Sequence, residues 1–113
     1  MQVGFETRAA ALIASVIGRV DTATAPAFEQ ALNEALGREE TCWVMDLAGL
    51  AYISSAGLRV FLSTAKTLKA RGGELRLAAA QGSVKKVLQV SGLFTLFKYF
   101  DTRDAALEDL QAV

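Results

Sequence analysis

Apolar and polar positions along this chain change period several times, and each change marks an element. From Val3 to Arg8 they alternate, with Val3, Phe5 and Thr7 on one side and Gly4, Glu6 and Arg8 on the other. That is the pattern of an edge strand with one wet face. Ala11 to Ile17 is almost wholly apolar, which predicts a central strand covered on both faces. The two segments join as a hairpin or, through Ala9 to Ala11, as one long strand; no Asn-Gly or Asp-Gly marks a turn between them. Gly18 to Asp21 reads as a turn. Phe28, Leu32 and Leu36 then recur at i, i+4 and i+8 behind Pro26, predicting a helix over Ala25 to Leu36. Thr22 and Thr24 are its candidate caps and Gly37 its stop.

Cys42 to Met45 has the length and side chains of a buried strand. Asp46 ends it, and a short linker leads to Ser54-Ser55. Leu58, Phe61, Leu62, Ala65 and Leu68 then form a helical stripe, with Arg59, Ser63, Lys66 and Thr67 opposite and Gly72-Gly73 as the stop. Glu74 to Ala79 follows as a strand with Leu75 and Leu77 inward. A third helix, capped by Ser83, carries Val84, Val87 and Leu88 on its apolar side. Phe97 to Phe100 is a last strand, and Thr102 or Asp101 caps a final helix, Arg103 to Gln111, with Ala106, Leu107 and Leu110 inward. Strands alternating with helices predict an α/β domain. Its sheet is four- to five-stranded and mostly parallel with an N-terminal edge strand, covered by about four helices with right-handed crossovers.

Composition narrows the function. At 113 residues, 52% of them apolar, the chain is one domain spanning residues 1–113 with a core of its own. Twelve basic residues balance twelve acidic ones, which argues against nucleic acid as a partner, since phosphate binding needs a basic face. The single Cys42 forms no disulfide within the chain and reads as an inert core thiol. Histidine is absent, removing the commonest general base and metal ligand. The sequence has no phosphate-binding glycine loop, no metal-ligand spacing and no Gly-x-Ser-x-Gly elbow. The expectation is a non-enzyme without cofactor or metal. No apolar run approaches the ~20 residues of a membrane span, so no membrane insertion and a cytoplasmic location are expected.

The candidate chemistry lies at Ser54-Ser55, where a strand-to-helix turn becomes the first turn of a helix. Backbone N–H groups there lack partners, and the aligned peptide dipoles give the end about half a positive charge. Ser55 can cap the helix or, in the same place, carry a phosphate. Gly57 is either a packing glycine or one that lets another surface approach the first turn. Asp21 reads as a turn residue bonded to its own backbone.

The string Asp46-Leu47-Ala48-Gly49-Leu50-Ala51-Tyr52-Ile53-Ser54-Ser55-Ala56-Gly57-Leu58 resembles the signature of STAS domains, specifically single-domain bacterial anti-sigma factor antagonists. Gly18-Arg19-Val20-Asp21, Gly72-Gly73-Glu74-Leu75 and Ser91-Gly92-Leu93-Phe94 resemble further stretches of that family in the same order, covering nearly the whole chain. The resemblance implies a single STAS-type domain. It places the phosphoacceptor of the family at Ser55, with Ser54 as second candidate because it stands where the family usually has an acidic residue. It sets Asp21 beside the site, and with Thr22, Ser54, Ser55, Gly57 and Arg59 it makes up the expected partner-binding surface. The implied function is a phospho-regulated switch in transcription control. Unmodified, the domain sequesters an anti-sigma factor serine kinase; phosphorylated, it lets go, and a PP2C-type phosphatase resets it. The alternative within the resemblance is an accessory subunit of an ABC-type lipid transport system, not switched by phosphate.

Overall fold

The computed structural model describes residues 1–111. The chain folds as β1 (Gln2–Arg8), β2 (Ala11–Val20), α1 (Ala25–Ala35), β3 (Cys42–Asp46), β4 (Leu50–Ile53), α2 (Ser55–Ala70), β5 (Glu74–Ala78), α3 (Gly82–Val90), α4 (Leu93–Leu96), β6 (Tyr99–Phe100) and α5 (Arg103–Gln111). Strand order is β1-β2-β3-β5-β6, with β4 also beside β2. Only the β1–β2 pair is antiparallel, from Gln2 opposite Ile17 to Arg8 opposite Ala11; the other pairs run parallel. The mostly parallel α/β architecture is the expected one, with one strand and one helix more than the sequence pattern marked.

The alternation along the strands explains the layers. Leu12, Ala14 and Val16 of β2, Trp43 and Met45 of β3, and Leu75 and Leu77 of β5 enter the larger core together with Phe28 and Leu32 of α1 and Phe61 and Leu68 of α2. The residues between them, Ile13, Val44 and Ala78, face the other way and are covered by Ala106 and Leu107 of α5. Helices therefore cover both faces, and the apolar run of β2 is needed on both. Phe28 and Phe61 pack edge to face, ring centroids 5.8 Å apart, and fix α1 against α2.

Several details depart from the sequence reading. The segment Ala9-Ala10 closes a hairpin rather than extending one strand, with both residues at positive φ. β2 continues through the expected turn to Val20, because Gly18, at φ +99°, absorbs a register shift. The linker after Asp46 contains β4, which takes over beside β2 where β3 leaves off: Ser15 lies opposite Asp46, and Gly18 opposite Leu50. Ser83 is not a cap. The N-cap of α3 is Gln81, without a side-chain bond, and the Ser83 hydroxyl lies 3.4 Å from the Ala51 carbonyl oxygen. Thr102 does cap α5, accepting from the Ala105 amide at 3.1 Å. Cys42 is half-buried at the start of β3.

The inward face of α2 is rotated by about one residue from the predicted stripe. Gly57, Val60, Phe61, Thr64 and Leu68 are buried, whereas Leu62 is 40% exposed. The C-terminus of α2 closes as expected from Gly72-Gly73. The Gly73 amide reaches the Leu68 carbonyl at 2.9 Å and the Gly72 amide that of Lys69 at 3.1 Å, with Gly72 at φ +81°.

On the second face, Arg76 of β5 is buried, its side chain only 2% exposed. Its guanidinium pairs with Glu74 of the same strand and Asp109 of α5 and stands over the Phe100 ring, 5.6 Å from the centroid.

Candidate functional site

Three elements converge on the start of α2. β2 ends at Val20, whose carbonyl oxygen accepts the Ser54 amide at 2.8 Å. β4 delivers the chain to that point, and α2 leaves from it. Ser54 is extended (φ −89°, ψ 169°), and its hydroxyl accepts the Gly57 amide. This corrects the sequence reading: the cap is Ser54, not Ser55. The reason is geometric, since a cap needs β-region backbone just before the helix and Ser55 is already in the first turn. Ser54 is 9% exposed, with its hydroxyl engaged at 3.2 Å. Ser55 is exposed. The amides of Ser55 and Ala56 find no acceptor among the described residues, so donors stand free beside an open hydroxyl at the positive end of α2.

Gly57 is buried, and the approach it permits is internal. A Cβ there would stand 2.8 Å from the Val20 and Ile53 side chains. The glycine lets α2 sit down on the ends of β2 and β4; it offers no surface to a partner.

Asp21 lies on the turn that leads from β2 into α1. Its carboxylate accepts the Thr24 amide at 2.9 Å and the Thr24 hydroxyl at 3.1 Å, while the Asp21 amide donates to that hydroxyl at 2.9 Å. The Thr24 amide, followed by its hydroxyl, holds the Asp21 carboxyl below its ordinary value of 3.8. Thr24, not Thr22, is the N-cap residue of α1, and its hydroxyl is spent on this turn and on the Arg19 carbonyl at 3.0 Å rather than on its own helix.

Thr22 and Arg59 both line a shallow groove of about 370 Å³ between α1 and α2, which reaches Ala56, the residue after Ser55. Pro26, Glu29 and Ser63 line it as well. The sequence reading missed these three, although Ala56, Arg59 and Ser63 recur at i, i+3 and i+7 on the face that Ser55 begins. Neither Glu29 nor Arg59 is in an ion pair among the described residues. On the β4 side, the Arg19 guanidinium covers the half-exposed Tyr52 ring, 4.5 Å from its centroid. Among the described residues no cluster of three or more His, Cys, Asp or Glu side chains could hold a metal, and no helix is long and apolar enough to cross a membrane.

The sequence matches the family model of the STAS domain over residues 2–106. The chain belongs to the STAS domain family. BtrV of Bordetella bronchiseptica, provisionally named an anti-sigma factor antagonist, is 41% identical over 84% of this STAS domain and 82% of its own length. An anti-sigma F factor antagonist of Paenibacillus polymyxa is 29% identical over 100% of the chain and 97% of its own length. Among solved structures, an anti-sigma factor antagonist from Mycobacterium paratuberculosis superposes with a TM-score of 0.87 at 27% identity, covering 97% of this STAS domain and 93% of the other chain.

Proposed function

We propose that this STAS domain is an anti-sigma factor antagonist, a regulatory binding protein rather than an enzyme, whose docking is switched by phosphorylation of Ser55. Both sequence relatives described above carry antagonist names, which favours this reading over a transport subunit. The observation that supports the switch is the division between the two serines: Ser54 is occupied as a buried cap, and Ser55 stands exposed beside unbonded amides. The docking surface comprises Ser55 with the α1–α2 groove, so that Thr22 and Arg59 meet the partner directly. Asp21, Ser54 and Gly57 shape that surface from beneath.

The electrostatics follow from the placement. The partner is an anti-sigma factor with serine kinase activity. Transfer of a phosphoryl group to Ser55 adds about −1.5 to −2 charges at neutral pH. The free amides and helix dipole accept that charge, so the domain keeps its shape. Arg59, one turn along the same helix face, is within reach of the added phosphate and is withdrawn from the partner. Burying the dianion against a surface lacking compensating cations costs several kcal/mol, and about 3 kcal/mol corresponds to a hundredfold loss of affinity. A phosphatase of the PP2C type restores the binding form.

The test incubates the protein with ATP and the cognate serine kinase and maps the phosphate by mass spectrometry. Modification at Ser55, abolished in Ser55→Ala, is expected, and Ser55→Asp is expected to bind the kinase at least about tenfold more weakly. Modification at Ser54, or undiminished binding by the Asp variant, overturns the switch.

A further inference from the structure

On the far part of α2 lies a second concavity, of about 560 Å³, between that helix, the start of β5 and the segment Leu96–Lys98. We infer that it binds a small amphipathic anion, a molecule with an apolar body and one carboxylate or phosphate head. Its lining includes two of the large apolar side chains the fold leaves in solvent, Leu62 at 40% and Leu96 at 69% exposure, with Phe97 and Leu75 behind them. Leu62 belongs to a helix whose core face is already complete without it, so its apolar surface is available to something else.

The charge around this floor is one-sided. Lys66, Lys69 and Lys98 line it, and none has a carboxylate within ion-pair distance among the described residues. The one acidic side chain on the lining, Glu74, is held by the buried Arg76 guanidinium. Three ammonium groups without an ion-pair partner among the described residues thus gather, against one carboxylate that shares Arg76 with Asp109, at one apolar depression in a chain whose formal net charge is zero. Lysine stems extend an apolar wall while their heads stay at the rim, an arrangement that covers a hydrocarbon or aromatic body and engages an anionic head. The volume falls in the range of small-molecule sites. Leu62 to Lys69 spans only about 10 Å of helix, which fits a small ligand better than a membrane surface. From Ser55 to Lys66 the helix runs about 16 Å, so this site stands apart from the Ser55 surface and does not depend on the reading given to it.

The full chain, labelled with nitrogen-15, is titrated with sodium decanoate while amide shifts are followed. Saturable shifts confined to residues 62–69, 73–75 and 96–98 are expected. Decyltrimethylammonium, the same chain with a cationic head, should bind at least about tenfold more weakly, as should the Lys66→Gln/Lys69→Gln/Lys98→Gln variant. Added salt should weaken decanoate binding. These lysines are exposed or at the rim, and an unchanged melting temperature verifies the variant's fold. Equal binding of the cation shows apolar adhesion alone and overturns the inference, as do shifts spread over the whole domain or no saturation in the millimolar range. Inorganic phosphate matching decanoate (an adventitious ion only) overturns it too. So does displacement of decanoate by phosphatidylglycerol vesicles that carry the protein down with them, which would make the patch a membrane contact.

Discussion

Ser54 accepts the amide proton of Gly57 at 3.2 Å, and this one bond makes two neighbouring hydroxyls chemically unlike. Ser54 is committed to the helix start, while the Ser55 hydroxyl makes no hydrogen bond among the described residues. Ser54→Ala should therefore lower stability by about 1 kcal/mol, and Ser55→Ala should change it by less than about 0.5 kcal/mol. Urea unfolding midpoints of the two variants decide the matter; equal losses would show that the caps have been assigned to the wrong residue.

The β1–β2 hairpin turns through Ala9 at φ +50° and Ala10 at φ +66°, with Arg8 opposite Ala11. Two-residue hairpin loops of this hand favour Asn-Gly because both central residues need positive φ. Left-handed backbone costs other L-residues about 1–2 kcal/mol each. Replacing Ala9-Ala10 by Asn-Gly should raise stability by roughly 1–2 kcal/mol. Chemical denaturation measures it, and a variant no more stable than the parent would mean the turn carries no strain.

Acid sensitivity follows from Asp21. Because its folded pKa lies below the ordinary 3.8 through the Thr24 amide and hydroxyl, the charged carboxylate stabilises the native state above that pH. The contribution fades as pH falls from about 3.8 through the lower folded value. Asp21→Asn cannot titrate, so its stability should fall less steeply than that of the parent between pH 4 and 2 and run parallel to it above pH 5. Glu40, held below 4.5 chiefly by the Thr7 hydroxyl, titrates alike in both proteins and cancels in the comparison. Parallel curves over the whole range would remove Asp21 from the acid response.

Arg76 offers a test of buried charge. Removing both of its partners, in Glu74→Ala/Asp109→Ala, leaves a guanidinium with 2% exposure uncompensated, at a cost on the order of 3 kcal/mol. Arg76→Met keeps much of the volume and strands only half-exposed carboxylates, so it should cost less than about 1.5 kcal/mol. Denaturation of the two proteins should rank them in that order; since both lack the ion pairs, the reverse order would show that the guanidinium is not left uncompensated when its carboxylates are removed.

Where a pattern ran long enough, the residues announced their element. Phe28 and Leu32 marked α1, the apolar run of β2 marked a central strand, and Gly72-Gly73 marked the end of α2. Short elements stayed hidden. In β4, Leu50-Ala51-Tyr52-Ile53 buries only its two ends, so there is no alternation to detect, and α4 is a single turn. The stripe on α2 misled because Leu62 is apolar yet faces a groove, while Thr64, polar by type, is buried. The alternation that turned Leu75 and Leu77 inward carried no sign of the burial of Arg76 between them, which comes from the docking of α5 on the second face. The two serines were legible as a site but not as two roles, since the cap depends on backbone angles that side-chain identity does not disclose.

The bond from Ser54 to the carbonyl of Val20 ties the mouth of α2 to the most heavily packed strand in the domain. That junction holds the Ser54 backbone against the end of β2, so the surface around Ser55 is carried by packed elements rather than by a loose loop. Under the proposed switch, the modified and unmodified forms then differ at this surface in charge rather than in shape, and the gap between their affinities for a partner should narrow as salt is added.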